Sequence, residues 1–350
     1  MSKQIQIDFL PVDSGEKSGD AIAFRYGDFS DRSLYQVVVI DGGTKDSGNR
    51  LVEHINEFFD TNHVDLVVCT HPDGDHASGL RQVLNQCSVG ELWIHKPWEH
   101  SEHVRDLFHD GRITDNSLSE RLQKGYTYAF ELCELANAKG IDVREPFAGR
   151  TSEDGAITVL GPTVDFYREL IPDFARSPQA KQILLEKALS GFERAISWIG
   201  ESLNYETLSE DGETSAENSS SAVLLFQFAG RKYLFTGDAG ITSLKKVIEF
   251  SKSEGIDISR VFMMQVPHHG SKRNISPSVL DAITCDQAYV SVSKDARPEK
   301  HPSKKVTNAY NRRGAKVYKT AGSKLCSSLN ANREGWGPAD VVPFFNQVEE

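Results

Sequence analysis

The sequence predicts an α/β sandwich, two mixed β-sheets packed face to face with helices outside them in an αββα order of layers. Strand-like segments cluster towards both ends of the chain, helical segments follow them, and no short-period repeat points to a solenoid or propeller. At 350 residues the chain is long enough to bury one large core. One domain is expected over 1–328, with a mostly helical insertion at about 163–218 and a C-terminal tail at 329–350.

The elements follow in order. "QIQIDFLPV", "AIAFRYG" and "LYQVVVIDGG" alternate or are β-branched, with glycine-containing turns between them, and read as strands. "RLVEHINEFFD" has helical spacing, "VDLVVCTH" is a short buried strand, "ASGLRQVLNQ" is helical and "VGELWIHKP" is a further strand. From Glu99 to Gly140 the pattern is helical, most clearly in "LSERLQKGYTYAFELCELANAKG", with Gly140 as the stop. "AITVLGPT" returns to strand. Residues 163–204 read as mostly helical, as in "AKQILLEKALSGFERAISWIG", and a polar loop runs to Ser219. The second strand-rich half holds "SAVLLFQFAG", "KYLFTGDAG", "RVFMMQVPHHG", "QAYVSVS" and "AKVYKT", with helical "ITSLKKVIEFSK" and "PSVLDAI" between them.

The longest apolar runs are strand-sized, well below the ~20 residues that cross a bilayer, so no membrane partner is expected. The N-terminal stretch "MSKQIQIDFLPV" enters a strand pattern without a secretory leader. Five scattered cysteines lack the spacing of a zinc knuckle or redox pair, which suits reduced thiols in a cytoplasmic protein. The net charge of −11 is uneven: eleven Lys/Arg and four acids lie between His268 and Thr320, while "ETLSEDGETSAENSSS" carries five acids and no base. A local basic face can attract a polyanion even on an acidic molecule.

The most informative stretch is "CTHPDGDHASGL", residues 69–80. A buried strand ends at Thr70, Pro72 and Gly74 bend the chain, and His71, Asp73, Asp75 and His76 project from the strand-end loop, a place where sites are built. Imidazole and carboxylate both suit divalent cations, and four such groups in six residues would otherwise repel or compete for water. His71 and Asp73 can share one ion, and Asp75 and His76 a second. Asp238 ends the buried strand "KYLF" and needs a partner; a metal or a helix cap would each answer that.

The string resembles the signature of the metallo-β-lactamase fold, His-x-His-x-Asp-His, with Asp73 in place of the second histidine. With that replacement it looks most like the hydrolase domain of ComEC/Rec2-type DNA-uptake proteins and their free-standing relatives. Further stretches agree in order: "VVVIDGG" with Asp41 supporting the metal loop, "NSSSAVLLF" and "YLFTGDAG" ending in a bridging Asp238, "VPHHGSK" with His268 and His269, and "KHPSKK" with His301. The resemblance implies metal ligands at His71, Asp73, Asp75, His76, Asp238 and one of the His268–His269 pair, with His269 favoured and the other orienting it or touching substrate. An extra histidine of the family, for the first metal, has His95 and His100 as candidates.

What the resemblance implies chemically is hydrolysis by a hydroxide bridging two divalent ions, Mn2+ or Zn2+, with Asp75 and His301 in catalytic roles. Ser271, Lys272 and His301 would meet substrate, with Arg273, Lys304 and Lys305 as further cationic donors suited to phosphate oxygens. A phosphodiester, most of all DNA, is the expected substrate. Asp73 enriches the first site in oxygen and tilts it from zinc towards manganese. A small ester, lactone or phosphodiester is the alternative substrate. A third reading is a metal-stabilised subunit of an assembly such as an antiphage defence system, with partners on the helical insertion.

Overall fold

The computed structural model describes residues 3–12, 15, 18–108, 112–177, 198–296 and 301–349. Two sheets form its centre. The first has seven strands in the order β14 (Leu325–Leu329), β1 (Gln4–Phe9), β2 (Ala21–Gly27), β3 (Tyr35–Gly42), β4 (His63–Val68), β5 (Ser88–Trp93) and β6 (Asp142–Arg144). The second has six, in the order β13 (Lys316–Lys319), β12 (Thr284–Val290), β11 (Arg260–Gln265), β10 (Arg231–Phe235), β9 (Val223–Phe228) and β7 (Ile157–Gly161). In the first, β3 to β6 run parallel and β14 to β3 antiparallel; in the second, β10 to β13 are parallel and β7, β9 and β10 antiparallel.

The alternation of β3 shows why the sheets stack. Val38 and Ile40 point into an inter-sheet core with Ile7, Phe24, Val68, Leu224, Phe235 and Met263, while Val37 and Val39 face an outer core with the helix α1 (Lys45–Phe59). A strand apolar on both faces must be covered on both, which gives the αββα layering the sequence predicts. Phe24 stacks on Phe235 across the sheets at 5.5 Å, and Phe9 on Tyr289 at 5.2 Å, spacings at which offset aromatic pairs attract. On the far side, Leu244, Val247, Leu280, Val306 and Tyr310 seal the second sheet.

Two details differ from the sequence reading, and the tail adds a third observation. The helical run after Glu99 is broken: Tyr126 leaves helical geometry, separating Asp115–Gly125 from Thr127–Ala138. The described part of the insertion shows a short helix, Val164–Leu170, a 3-10 turn at Ile171–Asp173, a strand, β8 (Trp198–Gly200), and the start of a one-turn helix, Ala216–Ser219, while its most helical-looking stretch, 178–197, lies outside the described residues. The tail packs locally: β15 (Gln347–Glu349) pairs with β8, and Arg333 reaches β1, donating to both carboxylate oxygens of fully buried Asp8 at 3.0 and 2.8 Å. Among the described residues no helix is long and apolar enough to cross a membrane.

Candidate metal centre

Parallel strands end at one edge of the sandwich, and their C-terminal loops meet there. β3 delivers Asp41. β4 leads into His71 and then into the short helix α2 (Gly74–Ala77), which carries Asp75 and His76. From the second sheet β10 delivers Asp238, and β11 leads to His268 and His269. Gly237 closes the gap between the halves: at φ 49° it lies so near Thr70 that an added Cβ would sit 2.9 Å from the Thr70 hydroxyl. The helix after Asp238 begins at Ile241 with Gly240 as its N-cap, so Asp238 does not cap it.

Four imidazoles converge on the Asp238 carboxylate. The Nε2 atoms of His71 and His268 lie 3.7 and 3.6 Å from Oδ2, and those of His76 and His269 lie 3.6 and 3.8 Å from Oδ1. These separations are too long for hydrogen bonds, which need about 3.2 Å or less. They match donors ~2.1 Å from a shared ion, which stand roughly 3.4 Å apart in a tetrahedral set.

The other ring nitrogens explain the aim. Nδ1 of His76 bonds Asp41 Oδ2 at 2.9 Å, Nδ1 of His269 bonds the Ser291 carbonyl at 3.0 Å, and Nδ1 of His71 meets the Thr70 hydroxyl at 3.0 Å. Nδ1 of His268 meets Asn274 Oδ1 at 3.0 Å, and Asn274 in turn donates to the Asp238 carbonyl. An Nδ1–H donated to these oxygens leaves Nε2 turned to the centre, the arrangement metal-binding histidines use, although His268 Nδ1 also lies 3.2 Å from the Asn218 amide nitrogen. His268 and His269 hold left-handed φ values of 47° and 55°, as does Asp41 at 56°. Such backbone costs ~1–2 kcal/mol per residue and marks places where position outweighs local comfort.

The fit to divalent ions rests on atoms left over. Nε2 of His71, Nε2 of His76, Oδ1 of Asp238 and Oδ1 of Asp20 are buried without a hydrogen-bond partner. Burial pushes the Asp238 carboxyl up, helped by Asp75 and Asp41 and opposed by His268 and His76. It pushes Asp73 up to about 6, with Asp75 and Glu217 adding to it. Burial, with the neighbouring histidines, holds His71 and His269 well below the usual range. His76 goes the other way, because Asp238 and Asp41 outweigh its burial. A crowd of lone pairs and destabilised carboxylates is what a cation would satisfy, and binding one would displace the His76 proton.

The expected residues are placed as follows. His71, Asp73, His76, Asp238, His268 and His269 are brought together, Asp73 lying 3.8 Å from His71 Nε2. Asp41 accepts from the Thr70 amide and hydroxyl at 2.8 and 2.7 Å besides holding His76. An Asp41→Asn variant should lose tenfold to a hundredfold in metal affinity, measured by calorimetry, because the amide offers hydrogens where acceptors are needed. The half-buried Asp75 is near enough to raise Asp73 and Asp238, and like Asp73 and His268 it lies outside the two tightest donor clusters of the centre, Asp20–His76–Asp238–His269 and Asp41–His71–His76. The His301 ring is 5.6 Å from that of His268, at the rim. Ser271 is nearly buried, its hydroxyl accepting from the Arg273 amide, and Lys272 follows it in the chain. Lys304 sits over Trp198 and Phe345 instead of facing the centre, and Lys305 is buried.

His95 stands apart. It stacks on Tyr167 at 4.4 Å, 4.0 Å from Glu145, and burial lowers its pKa to about 4. His100 bonds Glu145 at 3.1 Å. The basic stretch is partly neutralised, since Arg312 pairs with Glu201 and Arg313 with Glu206 and Asp281. Asp20 was not anticipated from sequence. Its only local mark is the dipeptide Gly19–Asp20 immediately before a strand.

The profile of the metallo-β-lactamase superfamily matches residues 36–294, and the chain belongs to that superfamily. No curated protein sequence matches it. Among solved structures it is similar to a mutant of the CmlA β-hydroxylase, at 12% identity and a TM-score of 0.46, covering 93% of this chain and 54% of that one. The chain thus spans about half the length of that protein. It is also similar to a diphosphatase of the PhnP family, at 11% identity and a TM-score of 0.42, covering 93% and 98% of the two chains. A long-form RNase Z from yeast shares 10% identity and a TM-score of 0.37 over 83% of this chain and 38% of its own.

Proposed function

We propose that the protein is a two-metal hydrolase of phosphodiesters acting on DNA, related to the ComEC-type hydrolases its metal loop resembles. The observation that carries this reading is the division of four histidine Nε2 atoms between the two oxygens of Asp238, which supports two adjacent ions bridged by one carboxylate. Bound divalent ions would supply a water nucleophile at neutral pH and stabilise charge on a phosphoryl oxygen. The chain's residues would do the rest. His71, Asp73, His268 and Asp238 Oδ2 would hold the first ion, and His76, His269 and Asp238 Oδ1 the second. Asp41, Ser291 and Asn274 would keep the rings aimed. His301, at the rim beside His268, would give a proton to a leaving oxygen, and Ser271 with Lys272 would flank the phosphate.

Asp73, an oxygen donor where the family signature has a histidine, favours manganese over zinc. Metal-free protein should be loaded with Mn2+, Zn2+ or Mg2+ and given labelled single- and double-stranded DNA beside a chromogenic small phosphodiester. The expected result is manganese-supported DNA cleavage that weakens steeply with salt. Turnover of the small ester alone would transfer the reading to a small-molecule phosphodiesterase. Zinc outperforming manganese would overturn the metal assignment.

A further inference from the structure

Asp20 lies in the connection between the first two strands, far in sequence from every motif of the site. It is 1% exposed, its Oδ1 has no hydrogen-bond partner, and its Oδ2 is 3.7 Å from His76 Nδ1. That nitrogen already bonds Asp41 at 2.9 Å, so Asp20 is not its acceptor. One donor atom each from Asp20, His76, Asp238 and His269 lie within 4.8 Å of one another, all four residues being buried.

The topology explains its presence. β2 runs antiparallel to β3 with Ala21 opposite Gly42, so the residue before β2 falls beside the end of β3, where Asp41 stands. Gly19 brings the connection close enough. A Cβ there would lie 2.2 Å from the Asp75 carbonyl oxygen and 2.9 Å from Val12, so only glycine lets this backbone rest against the metal loop. An isolated buried carboxylate is costly, by several kcal/mol, unless paired or metal-bound. Beside Asp20 the structure offers His76, Asp238, Asp41 and the Ser291 hydroxyl. Two of these are themselves carboxylates, which oppose a second charge.

We propose that Asp20 is a direct ligand of the second ion, completing a set of two imidazoles and two carboxylates with His76, His269 and Asp238, and that Gly19 positions it. Asp75 then lies outside this set and contributes its charge and its backbone contact with Gly19. The inference rests on the two-ion reading above.

The test is a calorimetric titration of metal-free protein with Mn2+, which reads binding without any turnover. Wild type should take two ions. Asp20→Asn should take one at unchanged affinity and the other at least about tenfold more weakly. Gly19→Ala, which displaces the carboxylate without removing it, should reproduce the selective loss and serves if Asp20→Asn folds poorly by circular dichroism. Two ions bound by Asp20→Asn and Gly19→Ala with wild-type affinities would overturn the proposal. Fewer than two ions on wild type would instead sink the two-ion reading, and the proposal with it.

Discussion

Asp238→Asn should abolish metal-dependent hydrolysis, lowering it by on the order of 10³-fold or more, since several kcal/mol of charge stabilisation would go with the ions. The variant should also lose tight binding of both ions at once, because each oxygen of this carboxylate faces two histidines. The stability effect should have the opposite sign. Burial raises the Asp238 pKa, so in the absence of metal the ionised carboxylate works against folding near neutrality. Metal-free Asp238→Asn should therefore melt no lower than metal-free wild type, while only wild type should gain from added Mn2+. Thermal melts of both proteins, with chelator and with Mn2+, check this. A variant that melts well below wild type in chelator would show the carboxylate to be structural.

Arg333→Ala should cost about 3 kcal/mol of stability, measured by urea unfolding. Its guanidinium is the fully buried Asp8 carboxylate's cationic partner, assisted by His54 Nε2 at 2.9 Å. Removing it leaves a carboxylate on the outer face of β1, beneath α1, with half its compensation. The pH dependence has a definite direction. Burial pushes the Asp8 pKa up, but His54 and Arg333 outweigh it and hold it below the ordinary value. A carboxyl depressed in the folded state adds stability above its unfolded pKa, near 3.9, and loses it as pH falls through the folded value. Wild type should therefore lose stability on acidification through this range more steeply than Arg333→Ala. Parallel acid slopes would refute the assignment.

Much of this was legible because it is written locally. The alternation in "LYQVVVIDGG" fixes the faces of β3, and six residues from His71 to His76 display their donors side by side. What the sequence hid is what the chain brings together from afar. Asp20 is a lone acid after a glycine, and only the antiparallel pairing of β2 with β3 reveals its neighbours. The doublet His268–His269 looked like a choice of one ligand. Consecutive left-handed residues turn both rings to the same carboxylate, and no periodicity encodes that. The basic run 268–320 looked like a continuous face, but Arg312 and Arg313 are spent on acids of the preceding acidic loop and its approach. The tail is tied down by pairs more than three hundred positions apart in sequence, as from Arg333 to Asp8.

Because His71 and His76 hang from one sheet and Asp238, His268 and His269 from the other, cations lodged between them would act as a rivet across the open rim of the sandwich. The aromatic stacks of the middle hold without it. The rim carries like charges and orphaned lone pairs that push its two lips apart. At a hundredfold excess over the dissociation constant each ion would add ~2.7 kcal/mol, so withdrawing the metals should unfasten this seam before the rest of the protein yields.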